Sequence, residues 1–223
     1  IMVIKQSILN NLKNIWGWKT SRKIVVISVD DYGNVRLDSP EARSKMDEKG
    51  LKVKSRFDTF DALENEEDLS MLYDALTSVR DKHGRHAVFT PFALPCNINF
   101  EKMAKDNYEK YEYELLPETY AKLSEKDPKA YKATWSLWQE GIDKGIMVPQ
   151  FHGREHFNLK VFKEKLAARD PELLIALKNR SYTSISSTGY QSIGYTAAFE
   201  FDKFEENDKF KEIIKTGLDD FEK

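Results

Sequence analysis

The residues that this sequence has few of are its first guide. Its 223 residues include one cysteine, Cys96, which excludes an internal disulfide and a cysteine-rich zinc or iron–sulfur site. Glycine (10) and proline (7) are too sparse for a turn-dense β-sandwich. No segment approaches the roughly 20 apolar residues that span a membrane. The balance of 35 basic against 37 acidic side chains excludes a generally basic nucleic-acid binder.

Alternating strand and helix patterns indicate the α/β class. Lys23–Val29 is apolar and β-branched, which is typical of a buried strand in a parallel sheet. Ser39-Pro40-Glu41 begins a helix, and Glu66–Lys82 is amphipathic at helical spacing. His86–Thr90 and Ile146–Phe151 are further short strands. This order of elements, with buried strands, predicts a βαβ architecture.

We interpret residues 1–223 as one domain, because no linker or repeat marks a boundary. Residues from about 99 to 145 form a helical insertion within it. The first segment, Ile1–Thr20, is amphipathic, and we favour its packing on the domain over its lying on a membrane surface. It lacks the pattern of a signal peptide, so we expect a cytoplasmic protein; an extracytoplasmic location would follow if the start were trimmed.

Histidine is also scarce, because the chain contains only four. We interpret His83 and His86, which flank a turn and a strand start, as structural. His152 and His156 directly follow a predicted strand and are spaced i, i+4, so one helical turn would place their imidazoles on one face, about 6 Å apart at Cβ. That spacing suits two ligands of one divalent ion, although two structural histidines would show the same pattern.

A pair of carboxylates, Asp30-Asp31, follows the first predicted strand. Acidic pairs at such positions often only form turns. Adjacent residues that leave a strand point to opposite sides, so one carboxylate can bind a metal while the other faces water. Two histidines and one aspartate make a triad with open coordination positions, and the second carboxylate can act as a general base.

Three further residues near these motifs are candidates for contact with a substrate. Tyr32 and Asn34 lie in the turn after the aspartate pair and can shape a pocket. Arg154, between the two histidines, can hold Asp30 ionised or contact an anionic intermediate.

These motifs resemble those of the polysaccharide deacetylases of the NodB-homology type. Val26–Asn34 (VISVDDYGN) looks like their first motif, and the His152-x-x-x-His156 string looks like their second. The resemblance implies Asp30 as catalytic base, with Asp31, His152 and His156 as ligands of a divalent metal, most often zinc, with cobalt, nickel or manganese as alternatives. It also implies a distorted (β/α) barrel and an acetylated carbohydrate substrate. The Asp-Asp-aromatic-Gly string is similar to that of the YdjC-like carbohydrate deacetylases.

The chain departs from the family pattern in its second half. The two motifs are about 120 residues apart, a long separation that the helical insertion would explain. No histidine follows His156, although the family uses a late histidine as general acid, and the Arg-x-Pro string that does follow, Arg169-Asp170-Pro171, lies at the start of a predicted helix. We therefore expect either that the last strands of the barrel lie past Lys223, or that the protein lacks the acid.

Two other functions fit parts of the same pattern. His152-Gly153-Arg154-Glu155-His156 matches the H-x-x-E-H string of one class of metalloproteases, with Glu155 as base, although that string normally lies in a regular helix and Gly153 disfavours one. The absent acid motif also fits a non-catalytic protein that binds metal or carbohydrate.

Overall fold

The computed structural model describes Leu12 and residues 15–223. The predicted amphipathic segment Ile1–Thr20 falls mostly outside these residues. No helix in the described part of the chain combines the length and the apolar character that a membrane crossing needs.

A small parallel sheet lies at the centre of a mixed α/β fold. β1 (Ser28–Tyr32), β2 (Thr90–Ala93) and β5 (Gln150–Phe151) lie in the order β1-β2-β5, and both neighbouring pairs are parallel. The predicted α/β class and parallel strand order are therefore confirmed. Across the described residues these strands form a small parallel sheet, and the predicted distorted barrel stays a prediction.

The predicted burial of the first strand is wrong. β1 begins only at Ser28, and the apolar run Ile24–Ile27 before it is exposed, with Val25 at 87%. A β-branched run is buried only where another element covers it, and β1 lies at the edge of the sheet, paired on one side. The predicted strand, Lys23–Val29, therefore overlaps the observed one only at Ser28 and Val29, and the observed strand includes the aspartate pair that was predicted to follow it.

Helices hold 44% of the described residues, and most of them begin at a side-chain cap. Ser39 accepts a hydrogen bond from the amide of Ala42, and Asn65 and Asp68 form a capping box. The second predicted helix ends at Thr77, because Asp81 accepts hydrogen bonds from following backbone amides and forms a turn. The helices are α1 (Pro40–Glu48), α2 (Arg56–Phe60), α3 (Glu66–Thr77), α4 (Phe100–Lys105), α5 (Leu116–Lys126), α6 (Pro128–Tyr131), α7 (Thr134–Asp143), α8 (Leu159–Ala167), α9 (Pro171–Lys178) and α10 (Asn207–Phe221), with a 3₁₀ turn at Phe204–Glu206.

The segment predicted as a helical insertion is mostly helical. It contains α4 to α7 and one short strand, β4 (Tyr113–Leu115), which pairs antiparallel with β3 (Cys96–Ile98). Trp138 of α7 and Tyr120 of α5 are buried in the main core together with Phe89, which precedes β2. This packing places α5 and α7 directly behind the turn that follows β1.

Candidate metal centre

The two motifs meet at the carboxyl edge of the sheet. Asp30 and Asp31 lie near the carboxyl end of β1, which ends at Tyr32, and His152 follows β5 directly. The amide of His152 donates to the carbonyl of Ala93 at 3.0 Å, and the amide of Leu94 donates to the carbonyl of Tyr32 at 3.0 Å. Because parallel strands present their carboxyl ends at one edge, the order of the strands alone brings motifs 120 positions apart into contact.

A bulge in β1 turns both carboxylates toward the same histidine. The pairing register shifts between Val29 and Tyr32, and Asp31 has a left-handed backbone with φ of 58°. Asp30 Oδ1 lies 3.0 Å from His152 Nε2, and Asp31 Oδ1 lies 3.2 Å from the same atom. The expectation that the two aspartates point to opposite sides is therefore wrong, because it assumed a regular strand.

Asp31, His152 and His156 form the predicted triad. Asp31 Oδ1 lies 2.8 Å from His156 Nε2, and one ligand atom of each residue lies within 4.8 Å of the other two. The two imidazole rings stack with centroids 5.8 Å apart and an interplanar angle of 25°. Three donor atoms thus converge on one point, as a shared divalent ion requires.

The histidine pair converges through a loop and not through a helical turn. Residues 152–158 contain no helix, and Gly153 has φ of 132°, a conformation that L side chains rarely adopt. Asn158 fixes the end of the loop by capping α8 and by donating to the carbonyls of Ala197 and Glu200. The i, i+4 spacing therefore predicted the meeting of the rings, while the backbone that achieves it differs from the expected one.

The donor set fits a divalent metal ion. Asp31 Oδ1 and His156 Nδ1 are buried side-chain atoms for which the described residues provide no hydrogen-bond partner. A buried carboxylate oxygen that lies between two imidazole nitrogens and has no aligned hydrogen-bond donor destabilises the fold unless a cation binds it. Two nitrogens and one carboxylate oxygen suit zinc, and cobalt, nickel or manganese bind such sets as well.

Arg36 supports the carboxylate that faces the histidines. Its Nη2 donates to Asp31 Oδ2 at 3.0 Å, and its Nε lies 2.9 Å from Asp61 Oδ2. Burial alone would raise the pKa of Asp31, but contact with His156, followed by the charges of Arg36 and His152, outweighs burial and holds this pKa below its usual value. For Asp61 the balance is reversed, and burial raises its pKa despite Arg36. Asp31 is therefore ionised and available as a ligand at neutral pH.

Asn97 of β3 fixes the turn that carries Asp31. Its Oδ1 accepts from the amide of Val35 at 2.8 Å, and its Nδ2 donates to the carbonyl of Gly33 at 2.9 Å. Gly33 has φ of 80°, and a Cβ atom there would lie 2.8 Å from Leu116 Cδ2 and 3.1 Å from the carbonyl oxygen of Leu94. The turn therefore needs glycine both for its backbone angle and for space.

Glu64 lies behind the same turn in a fully buried environment. Its Oε1 accepts hydrogen bonds from Tyr120 Oη at 2.5 Å and from Trp138 Nε1 at 3.0 Å. Burial raises the pKa of Glu64 to about 7, against the smaller opposing effects of these donors and of the backbone amides of Glu64 and Gly33. Glu64 is thus a structural carboxylate with its donors in place.

The three candidate substrate residues lie around the centre and not in it. The Tyr32 ring faces the core, 5.4 Å from the ring of Phe89 and 5.6 Å from that of Trp138. Asn34 is buried, and its Nδ2 donates to Tyr182 Oη at 2.8 Å.

Arg154 is engaged away from the aspartates. Its Nε donates to Glu155 Oε1 at 2.7 Å, and its Nη1 donates to Thr216 Oγ1 at 3.0 Å. Tyr111 Oη donates to the same Glu155 oxygen at 2.7 Å. The expected contact of Arg154 with Asp30 is therefore absent among the described contacts, and the cation beside the aspartates is Arg36, which binds Asp31.

Sequence reasoning missed Asp61, Glu64 and Asn97. A signal existed for Asn97, because it is a polar residue between the apolar Cys96 and Ile98 in a short strand. Glu64 precedes the helix cap Asn65 and carries no periodic signal, so only the packing of α5 and α7 reveals it.

Comparisons with models of known protein families, with curated proteins and with solved structures return no match to this chain. Among the described residues, the established feature of the site is a cluster of Asp31, His152 and His156 that could hold a metal ion.

Proposed function

We propose that this protein is a metal-dependent hydrolase that removes acetyl groups from an N- or O-acetylated carbohydrate. One observation carries the proposal: Asp31 Oδ1 converges with Nε2 of both histidines, and a second carboxylate, Asp30, lies beside them. The likeness of both motifs to those of the polysaccharide deacetylases, and of the first to the YdjC-like proteins, supports the same conclusion. With it we propose their distorted (β/α) barrel as the fold to which the parallel sheet belongs.

The side chains divide into those that hold the ion and one that moves a proton. Asp31, His152 and His156 would hold a divalent ion, with zinc preferred. When bound, such an ion supplies Lewis acidity that polarises an acyl carbonyl and makes water more acidic. Arg36 keeps Asp31 oriented and ionised through its contact with Oδ2.

Asp30 has the position of a general base. Its side chain is 69% exposed, and its Oδ1 lies 3.0 Å from His152 Nε2. It can therefore reach water beside the triad while the more buried Asp31 serves as ligand. In this role Asp30 would accept a proton from the water that attacks the acetyl carbonyl and return it to the sugar nitrogen or oxygen as the C–N or C–O bond breaks, so that acetate and a free amine or hydroxyl are released.

Two other functions, a metalloprotease and a non-catalytic binding protein, make different demands on the same residues. A metalloprotease would use Glu155 as base, but this carboxylate is buried and its Oε1 is held by Tyr111 and Arg154. A non-catalytic protein would bind metal and carbohydrate without turnover.

Acetate release from a panel of N-acetylglucosamine oligomers and O-acetylated xylan tests the proposal. We expect Asp30→Asn to lower the rate by roughly 10²- to 10⁴-fold while metal affinity stays within about threefold of the parent. Asp74→Asn, at an exposed aspartate of α3, is the matched control and keeps the parent rate.

Other outcomes would contradict this function. If the Asp30→Asn variant released acetate at the parent rate, Asp30 would not be the general base. Carbohydrate binding without acetate release, by a metal-loaded protein, would favour the non-catalytic alternative. Peptide hydrolysis abolished by Glu155→Gln and not by Asp30→Asn would favour a protease.

A further inference from the structure

The short helix α2 presents its aromatic side chains to solvent beside the metal centre. Phe57 is 59% exposed and Phe60 is 78% exposed, while Asp58 between them is buried. A short helix normally buries its apolar side chains and exposes its charged ones. Here that pattern is inverted, so two large apolar side chains are exposed to solvent and contribute little to the hydrophobic core.

Hydrogen bonds hold α2 firmly in this orientation. Asp58 Oδ2 accepts from the amide of Ser55 at 2.9 Å and from Ser55 Oγ at 2.6 Å, and the amide of Asp58 donates back to Ser55 Oγ at 3.1 Å. Thr183 Oγ1 donates to Asp58 Oδ1 at 3.4 Å from the body of the domain. The inward position of Asp58 therefore fixes both phenylalanines outward.

One side chain, Arg36, connects this aromatic surface to the metal centre. The Cζ atom of Arg36 lies 5.1 Å from the centroid of the Phe57 ring, and its Nη2 donates to Asp31. Arg36 and Asp61 also line a cavity of about 200 Å³, and Phe60 forms part of its wall. The aromatic surface, the cavity and the triad thus adjoin one another.

The chemistry of the cavity selects a neutral ligand with many hydroxyl groups. The residues that line the cavity include two arginines, Arg36 and Arg43, and three aspartates, Asp38, Asp58 and Asp61, so its lining has no excess positive charge that would favour an anion. Carboxylates and guanidiniums can each bind adjacent hydroxyls in a bidentate manner. The exposed phenyl rings supply apolar faces for C–H groups. A pyranose ring has this combination of hydroxyl edge and apolar face.

From this arrangement we infer that Phe57 and Phe60, with the cavity beside Arg36, form a binding subsite for a sugar ring of an oligosaccharide whose acetylated unit lies at the triad. The cavity is smaller than the roughly 300 Å³ at which pockets enclose a whole drug-sized ligand, which suits one ring of a longer chain. The inference rests on the proposed function and names the substrate class of the same site.

The test measures binding separately from catalysis. Calorimetry on metal-free full-length protein would use two probes, the N-acetylglucosamine tetramer and cellotetraose, which lacks acetyl groups. We expect both to bind the parent and the Phe57→Ala/Phe60→Ala variant to lose roughly tenfold in affinity for each. Phe204→Ala is the matched control, because Phe204 is also 78% exposed and belongs to the 3₁₀ turn before α10; it stays within about twofold of the parent.

The possible results separate this inference from the proposed function. Failure of both probes to bind the parent, or equal affinity of the double variant and the parent, overturns the subsite. Binding that depends on the two phenylalanines, without acetate release from any acetylated probe, supports the subsite and overturns the deacetylase function. Displacement of neither probe by excess decanoate supports a sugar, whereas displacement of both would show that the surface binds acyl chains instead.

Discussion

Asp31 and Glu64 are two carboxylates close to the same turn, and their surroundings are opposite. Asp31 has a partly exposed side chain, a left-handed backbone and an Oδ1 atom for which the described residues provide no aligned donor. Glu64 is buried and receives hydrogen bonds from Tyr120 and Trp138. The fold thus provides hydrogen-bond donors for the structural carboxylate, Glu64, and none for the Oδ1 atom of Asp31, which faces two histidines. A carboxylate oxygen without a hydrogen-bond donor, close in space to a carboxylate whose donors are in place, is what distinguishes a ligand site from a buried polar core.

Removal of the structural carboxylate has the largest expected effect on stability. Glu64→Ala leaves Tyr120 Oη without its acceptor, leaves Trp138 Nε1 only its longer bond to Tyr120 Oη at 3.3 Å, and creates a cavity. The free energy of unfolding therefore falls by about 4 kcal/mol. Urea unfolding at pH 5.5 measures this value. Glu67→Ala, at an exposed position of α3, changes it by less than about 0.5 kcal/mol. A loss below about 1 kcal/mol for Glu64→Ala would mean that Glu64 does not organise the core behind the turn.

The turn between the two carboxylates has the next largest effect. Gly33 and Gly50 have similar positive φ angles, of 80° and 87°, but a Cβ atom would clash only at Gly33. Gly50→Ala therefore costs about 1 kcal/mol from its backbone alone. Gly33→Ala costs about 3 kcal/mol, because Leu116 and the Leu94 carbonyl must also move. Equal losses in thermal or urea unfolding would show that this turn is not held as tightly as its contacts with Asn97 indicate.

Glu64 also makes the stability of the protein depend on pH. Burial raises the pKa of Glu64 from 4.5 in the unfolded chain to about 7 in the folded protein. Between these values the folded state binds a proton that the unfolded state does not, so stability falls as pH rises from 4.5 to 7 and stays at the lower level above 7. The contribution reaches at most about 1.4 kcal/mol per pH unit.

Glu64→Gln removes that slope because glutamine does not titrate. The difference in unfolding free energy between Glu64→Gln and the parent should therefore shift in favour of the variant from pH 4.5 to pH 7. Urea titrations at several pH values measure the difference, with Glu67→Gln as control. A constant difference across this range would show that Glu64 titrates in the folded protein as it does in the unfolded chain.

The sequence predicted the parts of the site that depend on strand order. Asp30 and Asp31 lie in the last three residues of β1 and His152 directly follows β5, and parallel pairing is enough to bring these strand ends together. The spacing of His152 and His156 was equally informative. It predicted that the two rings meet, and they stack with their centroids 5.8 Å apart.

The missed features depend on contacts between distant segments. The left-handed Asp31 follows from the register shift of β1 and from Asn97, which holds the turn from β3. The exposure of Ile24–Ile27 follows from the edge position of β1, which no local pattern encodes. Arg154 was expected near the aspartates, but Glu155 and Thr216 compete for its guanidinium. Local sequence propensity does not encode any of these contacts between distant segments.

Titration of the metal-free protein with Zn²⁺ by calorimetry tests the central claim most directly. We predict one ion per chain in the parent, a loss of roughly 100-fold or more in affinity for Asp31→Asn and for His156→Ala, and little change for Asp30→Asn. A parent that binds no ion, or an Asp31→Asn variant that binds as tightly as the parent, would contradict the assignment of Asp31, His152 and His156 as one metal centre.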